Sequence, residues 1–242
     1  MNKHPRRNIM KKILLSLFLI LPLILCACTP TPDENGETEC TEEATSNLFE
    51  DMEFYKPVIY LYPEKDTEVS VKLGFKGTLT ATIPDHGDGW NVLAKTDGTL
   101  TDLYDGKEYP YLFWEGNTKF APDMQKGFLV KGTETADFLE DILAKIGLLP
   151  HEINDFISYW LPFLQENPYN LITFQGENYT DIAPLTITPA PDSILRVFMV
   201  YRPLEEPIDI EEPDFIPFER KGFSVIEWGG AQSYYGSDTL SD

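Results

Sequence analysis

Apolar residues follow three patterns along the chain, and each pattern predicts a different kind of element. Residues 13–25 are apolar apart from Ser16 and Pro22. From about Phe54 onward, short runs of alternating apolar and polar residues are separated by Gly, Pro and Asp, which is typical of β-strands. Near the middle of the chain the apolar residues recur at helical spacing instead. The order predicts a β-rich part, a helical insertion and a second β-rich part.

The first β-rich part shows the alternation most clearly in "EVSVKLGF" and "GTLTATI". Val69, Val71 and Leu73 would share one face of a strand. Asp-Gly turn signals in "TDGT" and "YDGK" then separate further short runs, as expected for an antiparallel meander. The pattern returns from Asn170 in "NLITFQ", "PLTIT", "SILRVFMVYR" and "GFSVIEW".

Two helices are predicted between these parts. The first lies in "TETADFLEDILAKIG", with Thr133 or Thr135 as N-cap and Gly147 as the stop signal. The second begins at Pro150, and Pro162 should kink it or restart it as a short third helix. We therefore predict an α+β fold, in which an antiparallel, β-rich, sandwich-like domain carries an inserted helical pair.

The composition divides the chain into four parts. We predict a signal peptide at 1–27, a flexible acidic linker at 28–53, a single α+β domain at 54–230 and a disordered tail at 231–242. Within the domain, the proline-rich segment 203–218 should be extended and laid on the surface.

The N-terminus predicts export and lipid attachment. A basic stretch precedes an apolar run that is too short for a comfortable membrane span, which needs roughly 17–25 residues. The following "LCAC" resembles the bacterial lipoprotein signal, because small Ala27 precedes Cys28 whereas bulky Leu25 precedes Cys26. That resemblance implies a lipid on Cys28, which becomes the mature N-terminus, and the loss of Cys26. An uncleaved anchor and a plain secretory signal are the alternatives.

The net charge of the chain limits the classes of partner that can be expected. The formal net charge of the whole chain is −21. Five of its Lys and Arg residues and none of its Asp and Glu residues precede Cys28, so the chain from Cys28 onward has a net charge of 14 − 40 = −26. Such a chain repels phosphate backbones, so no nucleic-acid partner is expected. The expected partners are the membrane, through acyl chains such as palmitate on Cys28, and a glycan or surface-protein ligand on the outer, extracytoplasmic face of the cell membrane.

Several motifs together resemble a known family. They are "KPVIYLYP" (56–63), "YLFWEG" (111–116), "DFISYWLPFLQENPYNLITF" (155–174), "PAPDSILRVFMV" (189–200) and "KGFSVIEWGG" (221–230). These look like an uncharacterised family of bacterial, clostridia-like surface lipoproteins. The resemblance implies an envelope location and carries no catalytic assignment.

Glu115 and Glu227 are the candidate catalytic residues, because each lies beside a tryptophan. A glycosidase needs two carboxylates, one protonated and one ionised, and aromatic platforms for sugar rings. Placement of both glutamates in the core or at a strand edge is the competing interpretation. Trp90, Trp114 and Trp228 are the candidate ligand-binding residues, and packing in the core is the alternative for them.

Metal chemistry has little support. "HEIND" (151–155) has Asp155 where a zinc-protease motif needs a second histidine. Five aspartates in Gly-rich turns would suit Ca²⁺, but their spacing does not match a calcium loop and turn formation also favours them; they are Asp85, Asp88, Asp97, Asp102 and Asp105. No metal site and no cofactor are expected.

The combined expectation is a membrane-anchored extracytoplasmic lipoprotein that binds a ligand or partner. The alternative is a glycan-acting hydrolase that uses Glu115 and Glu227. A third interpretation is an assembly factor that contacts other surface proteins through residues 203–218. The absence of a strong catalytic constellation favours a protein that is not an enzyme.

Overall fold

The computed structural model describes residues 49–234. This part holds twelve strands: β1 (Glu50–Tyr62), β2 (Thr67–Leu73), β3 (Thr78–Ile83), β4 (Trp90–Ala94), β5 (Leu100–Asp102), β6 (Glu108–Tyr109), β7 (Leu112–Phe120), β8 (Phe128–Lys131), β9 (Tyr169–Gln175), β10 (Leu185–Thr188), β11 (Ser193–Leu204) and β12 (Ser224–Gln232). The helices are α1 (Thr135–Ile146), α2 (Pro150–Leu164) and α3 (Glu177–Ile182), and a 3₁₀ turn at Gly132–Glu134 precedes α1.

The strands form two sheets. The larger sheet has seven strands in the order β3-β7-β1-β12-β11-β9-β8, and the smaller has five in the order β10-β2-β4-β5-β6. Neighbouring strands are antiparallel except β11 and β12, which pair in parallel from Ser193–Ser224 to Tyr201–Gln232. Because parallel neighbours need a crossover connection, residues 205–223 must cross one face of the large sheet between these strands.

Two hydrophobic cores lie on opposite faces of the large sheet. One core contains Trp114 and Val225 together with residues of the small sheet such as Val71. The other contains Trp228 and Ile226 with the apolar faces of α1 and α2. The order of layers is therefore small sheet, large sheet and helical pair, which confirms the predicted α+β, sandwich-like class with an inserted helical pair.

Burial on both faces explains the sequence of the central strands. From Ser224 to Ala231, every residue of β12 is buried, and alternate residues enter the two cores. A strand covered on both sides reads as a nearly continuous apolar run instead of an alternating one. A charged residue in such a strand, Glu227, therefore needs a partner within the core.

The helical pair follows the prediction with two corrections. The N-cap of α1 is Glu134, between the predicted Thr133 and Thr135, and it makes no side-chain capping hydrogen bond because the 3₁₀ turn leads directly into the helix. Gly147 ends α1 with a φ of 122°, and its N–H donates to the Leu143 carbonyl. Pro150 is the first residue of α2, and the Glu152 carboxylate accepts a hydrogen bond from the Leu149 N–H at 2.7 Å. No third helix begins at Pro162: α2 continues through it and ends at Leu164, because burial of Trp160 and Leu164 on either side outweighs the one backbone hydrogen bond that the proline removes.

The ordered domain extends beyond the predicted limits 54–230. β1 begins at Glu50, Met52 is buried, and the Glu50 carboxylate accepts hydrogen bonds from Ser233 Oγ and the Tyr234 N–H. Residues 50–53 therefore belong to the sheet and not to the linker. The predicted signal peptide, Cys28, the rest of the linker and most of the tail lie outside the described residues.

The proline-rich segment 203–218 is mostly without regular structure, as expected, but it also contributes to the helical core. Phe215 and Phe218 pack against that core, and the Phe218 N–H donates to the Ile146 carbonyl at the end of α1.

Among the helices of residues 49–234, none has the length and apolar character needed to cross a membrane.

Candidate functional site

The structure places the three candidate ligand-binding tryptophans in the cores. Trp90, Trp114 and Trp228 are each no more than 1% exposed. Trp90 donates its indole N–H to the Pro84 carbonyl at 2.9 Å, which satisfies its polar atom inside the protein. Indoles with no accessible face cannot stack on a ligand at the surface, so these residues act in packing here.

The two candidate catalytic glutamates project from opposite faces of the large sheet. The Trp114 indole N–H donates to Glu227 Oε1 at 3.2 Å, so Glu227 lies on the side of the small sheet. Glu115 follows Trp114 in β7, and successive residues of a strand point to opposite faces. Glu115 therefore lies on the side of the helical pair. The structure does not bring the two carboxylates together.

Glu227 forms a buried ion pair. Arg196 Nε lies 2.5 Å from Glu227 Oε2, and Arg196 also donates to the Ala183 carbonyl at 2.7 Å. The guanidinium lies over the Tyr179 ring, 4.7 Å from its centroid. Burial alone would lower the pKa of Arg196, but the Glu227 carboxylate and the Tyr179 hydroxyl together raise it above its ordinary value. The arrangement satisfies two buried charges and leaves Glu227 inaccessible.

The "KPVIYLYP" segment forms the second half of β1. A bulge interrupts the pairing of β1 with both β7 and β12 between Tyr55 and Val58. Beyond the bulge, Val58 and Tyr60 enter the helical core, whereas Ile59 and Leu61 enter the core between the sheets. Lys56 lies within the bulge and is the non-glycine residue of the described chain with a positive φ, 57°.

Two features of the sequence make the backbone conformation of Lys56 strained. A positive φ is rare for residues with a β-carbon. Lys56 also precedes Pro57, and a residue before proline favours an extended conformation. The neighbouring strand holds this geometry in place, since the Lys56 N–H donates to Glu115 Oε1 at 3.1 Å. Strain of this kind, on the order of 1–3 kcal/mol, is concentrated at functional sites.

The Lys56 ammonium lies among aromatic side chains. Nζ donates to the Tyr111 hydroxyl at 2.9 Å and lies 4.7 Å and 5.2 Å from the ring centroids of Tyr111 and Phe113. None of the ion pairs within residues 49–234 includes Lys56. The ammonium is therefore held by a hydroxyl and by aromatic faces, without a carboxylate in salt-bridge contact.

A pocket of about 250 Å³ opens beside this ammonium, and we call it the Lys56 pocket. Its lining is aromatic and apolar apart from one charge; the residues are Lys56, Ile83, Tyr109, Pro110, Tyr111 and Phe113. Ile83 pairs with Phe113 across β3 and β7 and remains 53% exposed at the edge of the sheet. Aromatic walls with one polar anchor are typical of small-molecule sites.

Residues of the "HEIND" motif lie beside the same end of β1. Tyr60 donates its hydroxyl to Asp155 Oδ2 at 2.9 Å, and the Tyr62 hydroxyl lies 2.9 Å from His151 Nε2. Burial raises the pKa of Tyr60, and the nearby Asp155 carboxylate raises it further. These contacts join α2 to β1. Within residues 49–234, no three His, Cys, Asp or Glu side chains come together as a metal site.

A second, larger pocket of about 480 Å³ lies between the start of β1 and the end of β12. Its lining mixes carboxylates, amides and hydroxyls, with Asp51, Glu53, Asn117, Thr118 and Tyr234 among them. Met52, Tyr55 and Tyr234 also give this pocket apolar surface, but unlike the Lys56 pocket it carries charges of both signs, since Lys119 lines it together with the two carboxylates. Sequence reasoning missed Lys56 and Tyr111, although both lie in motifs that carried the family resemblance, because chain positions so far apart meet only once β1 and β7 pair.

A curated relative agrees with the expected clostridia-like origin. The chain is 42% identical over 85 residues to the "Uncharacterized protein in bglA 3'region" of Butyrivibrio fibrisolvens, a match that covers 34% of this chain and 83% of the relative. No protein-family model and no solved structure matches the chain. The protein therefore belongs to the same family as this uncharacterised Butyrivibrio protein.

Proposed function

We propose that this protein is a lipid-anchored, extracytoplasmic binding module whose ligand site is the Lys56 pocket. The observation that carries the proposal is the ammonium of Lys56, which a strained backbone holds against aromatic rings at the mouth of a preformed pocket. The "LCAC" sequence supports the anchor. The family relationship is to an uncharacterised protein and is neutral on both points.

Binding suits this pocket better than hydrolysis does. General acid–base hydrolysis of a glycosidic bond needs two carboxylates that face one bond. The only charged side chain that lines the Lys56 pocket is an ammonium. Of the two candidate carboxylates, Glu227 is enclosed on the opposite face of the sheet, and Glu115 accepts the Lys56 backbone N–H and does not line the pocket. The residues present can recognise and orient a ligand.

The anchor is tested at Cys28. Replacing Cys28 with Ser should abolish incorporation of a labelled fatty acid and prevent cleavage of the first 27 residues, because the thiol is the proposed attachment atom. Labelling and gel mobility of the protein in its host membrane measure both effects. Cys26→Ser is the matched control and should change neither. Unchanged labelling in Cys28→Ser, or its loss in Cys26→Ser alone, would contradict the assignment.

The pocket is tested at Ile83. Both hydrophobic cores lie within residues 50–234, so a chain of residues 41–242 retains every element that forms them. A ligand that binds only the folded protein raises its melting temperature by mass action. We expect a rise with at least one of D-glucose, D-glucuronate, benzyl alcohol or benzoate. Ile83→Trp should remove that rise by filling the mouth of the pocket.

A second exposed isoleucine provides the control. Ile194 in β11 is 43% exposed, similar to Ile83, and does not line the pocket. Ile194→Trp should keep the ligand-induced rise. A rise that survives Ile83→Trp would show that the ligand binds elsewhere, and no rise with any of the four compounds would contradict the proposed binding site.

A further inference from the structure

We propose that the Lys56 pocket selects a single six-membered ring that carries one carboxylate, with Lys56 as the anion-binding residue. This inference rests on the proposed function, because it takes the pocket to be a binding site, and it adds the chemical class of the ligand. Sugar acids and aromatic acids share this chemistry.

The first argument is the unused hydrogen-bonding capacity of Lys56. An ammonium group has three N–H donors. The described contacts of Lys56 Nζ comprise one hydrogen bond, to the Tyr111 hydroxyl, together with two aromatic faces. Within residues 49–234, no carboxylate lies in salt-bridge contact with the other donors. A carboxylate in the pocket would supply charge-assisted hydrogen bonds, which are stronger than those between neutral groups.

The second argument is the charge of the ligand. One ammonium balances one negative charge, and the remaining lining residues of the pocket are uncharged. Glu115 lies on the same face of the sheet, with Oε1 3.1 Å from the Lys56 backbone nitrogen. This carboxylate, in a chain of net charge −21, would repel a ligand with two negative charges about twice as strongly as one with a single charge. A monocarboxylate therefore fits better than a dianionic phosphate.

The third argument is the size and shape of the pocket. A volume of about 250 Å³ lies below the range of roughly 300–1,000 Å³ that is usual for drug-sized ligands. The rings of Tyr109, Tyr111 and Phe113 offer faces or edges for stacking, and Ile83 and Pro110 add apolar surface. Such walls suit one flat or chair-shaped ring, with its carboxylate directed to Lys56.

The fourth argument is preorganisation. A lysine side chain loses considerable rotamer entropy when a ligand fixes it. Here the bulge, the Glu115 hydrogen bond and the Tyr111 hydroxyl already define the position of Lys56. Binding would then cost less entropy than it would at an exposed, freely rotating lysine.

The test compares matched pairs of compounds on residues 41–242. Isothermal titration at low ionic strength measures D-glucuronate against D-glucose, and benzoate against benzyl alcohol. We expect the carboxylate of at least one pair to bind about tenfold or more tightly than its neutral partner, since only the carboxylate can form charge-assisted hydrogen bonds with the Lys56 ammonium. The pair that shows the preference identifies the ring as a sugar or an aromatic one.

Variants assign the preference to Lys56. Lys56→Gln should reduce the carboxylate preference to about twofold or less by removing the ammonium. Lys65→Gln makes the same change in net charge at an exposed lysine outside the pocket and should retain the preference. Lys56→Gly repeats the removal with a residue that adopts a positive φ without strain, so a loss of preference there cannot be attributed to misfolding.

The outcomes separate the two proposals. Binding of neutral and acidic partners with equal affinity, blocked by Ile83→Trp, would overturn the carboxylate inference and leave the pocket as a binding site. A preference that persists in both Lys56 variants, or that Lys65→Gln removes equally, would also overturn it. If none of the four compounds binds, both the inference and the proposed binding site fail.

Discussion

Single residues in this protein carry charge in two contrasting environments. Glu227 and Arg196 are paired between the sheets, with the Trp114 indole N–H as a further partner of the carboxylate. Glu115, on the other face, is only partly buried and accepts a backbone hydrogen bond from Lys56. The Glu227 carboxylate is compensated by a counter-ion and a hydrogen bond, whereas Glu115 has only the backbone N–H. Loss of the Arg196 charge should therefore lower the free energy of unfolding, whereas neutralising Glu115 should raise it.

Removal of one partner from the buried pair should destabilise the domain strongly. Arg196→Met leaves the Glu227 carboxylate buried without its counter-ion, which costs about 3–5 kcal/mol in comparable pairs. Urea unfolding of residues 41–242 measures the free energy of unfolding. The double variant Arg196→Met/Glu227→Leu should recover part of that loss because no uncompensated charge remains. A double variant less stable than Arg196→Met would contradict this account.

Glu115 should show the opposite behaviour. Burial raises the pKa of Glu115 from its ordinary value of 4.5, and the Lys56 N–H partly counteracts burial. The ionised form is therefore less favourable in the folded state than in the unfolded state. Glu115→Gln, which can still accept the hydrogen bond from Lys56, should raise the melting temperature at pH 7.

The pH dependence provides the check. As the pH falls through the folded-state pKa of Glu115, the wild-type carboxyl becomes neutral and its penalty disappears, so the difference between the two proteins should shrink to near zero below the unfolded-state pKa. Thermal unfolding from pH 7 to pH 3.5 follows this difference. A difference that grows on acidification would show that ionised Glu115 is stabilising.

Among the elements, α2 connects the helical layer to the sheet and to the crossover. Glu152 caps its first turn and also pairs with Arg220, which follows the proline-rich segment, at 2.5 Å. Tyr60 and Tyr62 of β1 contact Asp155 and His151 on its exposed side. The helix is thus fixed near its N-terminus by polar contacts, and its last turn is held by the buried Leu164 side chain and by Asn167 and Asn170, whose amides donate to the Phe163 and Leu164 carbonyls.

Pro162 weakens that last turn. It lies inside α2, where proline cannot donate the backbone hydrogen bond to residue 158 and its ring crowds that carbonyl. Pro162→Ala should raise the free energy of unfolding by about 1–3 kcal/mol, the lower part of the range being expected so near the helix end. Urea unfolding measures the change.

On the scale of the whole molecule, sequence patterns predicted the class of fold and the helical pair but not the partners across the layers. The alternation of Val69, Val71 and Leu73 is local, and the structure confirms their shared burial. The opposite orientation of Glu115 and Glu227 depends on how β7 and β12 flank β1, which no local pattern specifies.

The position of Lys56 shows the same limit. Its contact with Tyr111 spans 55 residues, and its positive φ contradicts the extended geometry that a following proline favours. Local rules therefore predict a different conformation at the residue on which the candidate site depends. The conformation of Lys56 is set by contacts with distant residues such as Tyr111, and these contacts cannot be inferred from the sequence before the pairing of the strands is known.

The place of β12 in the large sheet has a consequence for how the chain acquires its structure. β12 is the last strand of residues 49–234, yet it lies between β1, the first strand of that range, and β11. A ribosome or an export channel would release this segment after the other strands of the two sheets. The central pairing closes a loop of nearly the whole domain, and such long-range closure slows folding. The large sheet can therefore be completed only after synthesis has passed Gln232, and a chain truncated before Ser224 would expose the facing edges of β1 and β11 to aggregation.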